Sequence, residues 1–75
     1  MKTTNIQQST VRRRMKTKRV ESGITQDELA QAAGIDRKTV NRIENGHFSP
    51  NLDTFFRLCV ALNVRPSELM KGIGQ

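Results

Sequence analysis

A chain of 75 residues supports one hydrophobic core and excludes two, because a core this small covers only about 60% of the surface that the unfolded chain exposes. The net charge of +6 and isoelectric point near 10.5 imply a polyanion or an anionic membrane surface as partner, with nucleic acid first. One His, one Cys and no Tyr leave few ways to pair a nucleophile with a base, which argues against an enzyme.

The apolar residues are mainly Leu, Val, Ile and Ala in short spaced groups, the pattern of thin helices packed together, so the fold class expected is all-α. No apolar run approaches the about 18 residues of a membrane span. The polar start, Met1 to Ser9, lacks the apolar stretch of a signal peptide and reads as a flexible N-terminal arm, residues 1–9. Cys59 has no intrachain disulfide partner and sits among apolar neighbours as a small hydrophobe, which fits a reducing cytoplasm.

A folded domain is expected over residues 10–71, with residues 72–75 as a short tail. From Thr10, Val11 and Met15 lie four apart, and Ser22 extends the stripe, so one face of a first helix points inward. Arg12, Arg13, Arg14, Lys16, Lys18 and Arg19 all precede the first acidic residue, Glu21. Gly23 suits the left-handed position that ends this helix. Thr25 and Glu28 then form a capping box, and the helix they open carries Leu29, Ala30 and Ala33 before stopping at Gly34.

Asp36 is placed to cap a third helix, whose Val40 and Ile43 repeat at the spacing of a buried face before Gly46 closes it. After the loop His47 to Pro50, Asn51 caps a fourth helix with Leu52, Phe55, Phe56, Leu58, Cys59 and Leu62 in or near the core. Asn63 takes the left-handed position at its end. Pro66 opens a short last helix with Leu69 and Met70 on its apolar side.

The stretch from Gln26 to Asn45 carries the functional signal. A tight pair of helices needs a small residue at the crossing, Ala30, a residue tolerant of positive φ in the turn, Gly34, and wedge residues, Val40 and Ile43. That register leaves Arg37, Lys38, Asn41 and Arg42 without a packing task on the opposite face. Their chemistry suits base reading, since Arg and Lys donate to guanine O6 and N7 and Asn bonds adenine N6 and N7. Gln26, Thr39, Asn45 and His47 are candidates for phosphate contacts at the edges of this face. His47 has no second His and no cysteine cluster beside it, so no metal and no cofactor are expected.

Together these residues resemble the repressor and Cro class of helix-turn-helix regulators, the Xre family, over Val11 to Met70. The likeness rests on Gly23-Ile24-Thr25-Gln26-Asp27-Glu28-Leu29-Ala30, Gly34-Ile35, Val40-Asn41-Arg42-Ile43-Glu44-Asn45-Gly46, and Pro50 with Leu52 through Leu62, Val64 and Glu68-Leu69. The resemblance implies a compact five-helix bundle of the lambda repressor-like type, with the second and third helices as the DNA-binding pair. It also implies a structural ion pair of Arg19 with Glu44. Homodimers on the two halves of a palindromic operator are implied as well, with Val64, Pro66 and Met70 at the dimer contact. Three positions depart from the family pattern: Arg65 replaces a Ser or Thr cap, Val60 an often charged residue, and Lys18 an often apolar one.

The function expected is that of a transcriptional regulator binding double-stranded DNA in sequence-specific fashion, with repression by occlusion of a promoter. An antitoxin-like protein that also neutralises a protein partner is the alternative, and a restriction-modification controller is a variant within the DNA-binding class. Membrane-surface binding is disfavoured, because Val11 and Met15 make too narrow an apolar stripe.

Overall fold

A computed structural model of the chain describes residues 2–73, with side chains from residue 9. It contains helices α1 (Lys2–Glu21), α2 (Gln26–Ala33), α3 (Arg37–Glu44), α4 (Leu52–Leu62) and α5 (Pro66–Leu69), and no strand among the described residues. The all-α, five-helix expectation therefore holds. Helical backbone starts at Lys2, ahead of the start expected at Thr10, since neither Gly nor Pro interrupts the chain before Ser22. Met1 of the expected arm and residues 74–75 of the expected tail lie outside the described residues.

The helix ends show how local sequence sets the corners. In α2 the Glu28 amide donates to Thr25 Oγ1 at 3.0 Å and the Thr25 amide donates to Glu28 Oε1 at 2.8 Å, the reciprocal box read from the sequence. At the start of α4 the Thr54 amide donates to Asn51 Oδ1 at 2.8 Å. Asp36 departs from expectation: its side chain makes no capping bond, and its carbonyl accepts from the Thr39 and Val40 amides instead. At α5 the missing Ser or Thr is offset from the other side, because the Glu68 carboxylate accepts from the Arg65 amide at 2.7 Å.

α4 ends on Asn63 at φ 55. The Val64 amide reaches back to the Cys59 carbonyl and the Asn63 amide to that of Val60, so two carbonyls that the helix leaves open are satisfied. α1 is tied to the far end of the chain by Arg14, whose Nη1 donates to the carbonyls of Leu69 at 3.0 Å and Lys71 at 2.8 Å.

The core consists of Met15 from α1, Leu29, Ala30 and Ala33 from α2, Val40 and Ile43 from α3, Leu58, Cys59 and Leu62 from α4, and Leu69 from α5. Burial pushes the Cys59 thiol above its ordinary pKa of 9.0, because the thiolate would lose its hydration there. Three readings need correction. Ser22 is exposed, and Lys18 and Arg19 are the half-buried residues on that part of α1. Leu52 and Phe56 are 66% and 45% exposed. Leu52 stands on the first turn of α4 beside an open hollow of about 380 Å³ that Val11, Phe48, Phe55 and Met70 also line, so among the described residues its side chain stays largely exposed.

Candidate nucleic-acid interface

α2 and α3 meet through a turn that only a left-handed residue permits. Gly34 has φ +73, which lets the Ile35 amide bond the Ala30 carbonyl at 3.0 Å and the Gly34 amide that of Gln31 at 3.3 Å. An L side chain at this φ costs about 1 to 2 kcal/mol. Ala30 is 2% exposed, and Val40 and Ile43 are 1% and 2% exposed, so the inner face of α3 is used up by packing.

The opposite face is turned to solvent. Arg37, Lys38, Asn41 and Arg42 are all exposed, and at about 100° per residue they fall within about 140° of the helix circumference. No exposed acid interrupts them within α3, because its one acid, Glu44, is buried. Coulomb repulsion among Arg37, Lys38 and Arg42 therefore makes this surface receptive to an anion. The Arg42 guanidinium carbon lies 5.8 Å from the Phe48 ring centroid, a cation–π distance that links the reading face to the α3–α4 connection.

Beneath the face lies a polar network. The Glu44 side chain, 1% exposed, accepts from Arg19 Nε at 2.7 Å and Nη2 at 3.1 Å, and from Gln26 Nε2 at 3.0 Å. Arg19 Nη1 also holds the Ile24 carbonyl at 2.9 Å, fastening the α1–α2 connection. Gln26 Oε1 accepts from Asn41 Nδ2 at 3.2 Å, and Asn41 Oδ1 accepts from Asn45 Nδ2 at 3.1 Å. No buried side-chain nitrogen or oxygen among the described residues lacks a partner, and both Glu44 carboxylate oxygens accept a hydrogen bond.

The candidates for phosphate contact thus occupy different settings. Asn45 and His47 are exposed and Thr39 is half-buried, at the rim of the α3 face. Gln26 is half-buried and spends its amide on Glu44 and Asn41. Of the dimer candidates, Val64 and Pro66 are half-buried and Met70 is 47% exposed. Val60, whose apolar side chain departs from the family pattern, is 80% exposed.

Two contacts escape sequence reasoning. Asn41 and Asn45 stand four apart on α3, a spacing that signals a side-chain pair, but the link to Gln26 depends on how α2 crosses α3. Arg12 is read from sequence as one cation among many. Its guanidinium donates to the Glu44 carbonyl at 3.3 Å and to Ser9 Oγ at 3.3 Å, and lies against Gly46.

Among the described residues no group of three His, Cys, Asp or Glu is placed to hold a metal ion, and no helix is long and apolar enough to cross a membrane. A helix-turn-helix family model matches residues 15–69. An HTH-type transcriptional regulator of Archaeoglobus fulgidus is 32% identical over 59 residues, which span 79% of this chain and 84% of that protein. The ImmF control region 10 kDa protein of Bacillus phage phi105 is 36% identical over 50 residues, 67% of this chain and 56% of that protein. The crystal structure of the restriction-modification controller protein C.AhdI from Aeromonas hydrophila matches with a TM-score of 0.79 at 31% identity, covering 83% of this chain and 94% of that one.

Proposed function

Because this chain belongs to the helix-turn-helix family and is a DNA-binding transcriptional regulator, we propose that it is a sequence-specific repressor that reads the major groove as a homodimer. One observation carries the reading: Val40 and Ile43 bury one side of α3 and leave Arg37, Lys38, Asn41 and Arg42 exposed together on the other. A helix fits the major groove, where the arginines and Lys38 donate to guanine O6 and N7 and Asn41 bonds adenine.

Thr39, Asn45 and His47 flank this face and contact phosphates, fixing the register without carrying sequence information, whereas the Gln26 amide is engaged by Glu44 and Asn41 and leaves the phosphate contact at the start of α2 to the backbone N–H groups. Val64, Pro66 and Met70 form the contact between subunits, which sets two copies of α3 in successive grooves about 34 to 36 Å apart. A dimer so placed on cytoplasmic DNA blocks polymerase at an overlapping promoter. The likeness to a restriction-modification controller supports a second reading within the same class, in which the genes controlled are those of a restriction system.

Selection of bound sites from random duplex DNA tests the proposal. The expected outcome is a palindrome with half-sites one helical turn apart. Arg37→Ala and Arg42→Ala each reduce discrimination at one position of that site by about 1 to 3 kcal/mol, or about 5- to 150-fold, while salt-sensitive non-specific binding remains. Enrichment of no sequence by the native chain overturns the reading.

A further inference from the structure

Resting on α3 as the base-reading helix, we propose that buried Glu44 dictates which way round the Asn41 amide faces DNA, through Gln26 as the positioning residue, and so imposes adenine over guanine at the base Asn41 meets.

The argument is one of donor and acceptor order. A carboxylate paired with Arg19 offers acceptors only, so Gln26 must turn its Nε2 toward Glu44, as it does at 3.0 Å. That leaves Gln26 Oε1 on the other branch, facing α3. Asn41 must answer an oxygen with its Nδ2, at 3.2 Å, and its own Oδ1 then receives Asn45 Nδ2 at 3.1 Å. An exposed asparagine on a bare helix turns its amide over freely. Here each choice is forced by the one before it, back to a side chain that is 1% exposed.

An amide nitrogen carries two N–H groups and an amide oxygen two lone pairs. After these internal bonds Asn41 keeps one donor and one acceptor for DNA, in a fixed order. Adenine answers with its N6 donor and N7 acceptor. Guanine presents O6 where adenine has the N6 amine, so the Asn41 oxygen meets another oxygen. With Gln26 removed, the amide turns its nitrogen to O6 and guanine is tolerated.

The experiment compares the native chain, Asn41→Ala and Gln26→Met on the duplex that the native chain selects, with every position replaced singly. Gln26→Met keeps side-chain length and the Arg19–Glu44 pair. Asn41→Ala identifies the position that Asn41 reads. At that position alone, Gln26→Met is expected to shrink an adenine-over-guanine preference of about tenfold or more to within about twofold. A uniform loss across all sequences with that preference intact, the signature of a phosphate contact only, overturns the proposal, as does a native preference for a base other than adenine there.

Through-hydrogen-bond NMR couplings in the native chain without DNA give a readout that needs no variant. A coupling from Asn41 Nδ2 to the Gln26 side-chain carbonyl is expected, and its absence overturns the proposal even where Gln26→Met fails to fold. Should the native chain enrich no sequence while this coupling is present, the repressor reading fails and not the relay.

Discussion

Replacing Arg19 with Met strips the Glu44 carboxylate of both guanidinium bonds and leaves it the Gln26 amide alone, at a site where its side chain is 1% exposed. The Ile24 carbonyl loses its donor as well. Breaking a buried pair from one side costs about 3 to 5 kcal/mol, because the remaining charge stays out of water. A chain of 75 residues is stable by about 4 to 11 kcal/mol in all, at about 0.05 to 0.15 kcal/mol per residue. The single variant therefore forfeits a large part of its stability, and its Tm falls by at least about 12 °C at about 4 °C or more per kcal/mol.

Arg19→Met combined with Glu44→Leu removes the stranded charge, so the double variant is expected to be more stable than either single one, with a coupling of about 2 kcal/mol or more. With no Trp or Tyr in the chain, urea titrations followed by helical circular dichroism supply the four stabilities. The pair Arg57–Asp53, at 3.1 Å with side chains 53% and 72% exposed, serves as a control whose cycle should give about 0.5 kcal/mol or less. A buried-pair coupling no larger than that of the control refutes the reasoning.

Two further outcomes are expected. Gly46→Ala sets a Cβ 2.9 Å from the Arg12 guanidinium carbon at φ +79, whereas Gly23→Ala at φ +74 meets nothing within 4 Å; Gly46→Ala should cost about 0.5 to 1 kcal/mol more, through displacement of Arg12 from the Glu44 carbonyl, and equal losses in urea titrations would count against this contact. Cys59 has a thiol pKa raised above 9.0 by burial, so its contribution is complete below that pH and is lost as pH rises from 9.0 toward the folded value. The stability gap between the native chain and Cys59→Ala should narrow above about pH 9, and a gap that stays constant to pH 10.5 or widens would contradict the burial argument.

Much of the fold is legible in residues that act locally. Thr25 with Glu28, Gly34, Asn51 and Asn63 mark helix ends through bonds spanning a few residues, and Val40 with Ile43 mark a buried face by spacing alone. What is not legible depends on packing partners. Leu52 has the spacing of a core residue relative to Phe55, yet among the described residues the first turn of α4 borders an open hollow and leaves it exposed. Asp36 has the chemistry of a cap, but its carbonyl does the bonding. The start of α1 is hidden because no breaking residue announces it. At the interface, the face bearing Arg37, Lys38, Asn41 and Arg42 follows from helix geometry, whereas the bond from Asn41 to Gln26 requires the crossing of α2 over α3, which no single segment encodes.

α3 is an eight-residue helix, and a segment of two turns does not hold its shape in water, where isolated helices shorter than about 12 to 15 residues are marginal. Its shape is on loan from Leu29, Ala30 and the Gly34 corner. A synthetic peptide copying only this rod would be a floppy polycation, so transplanting its specificity into another scaffold means grafting α2 and its crossing angle along with it.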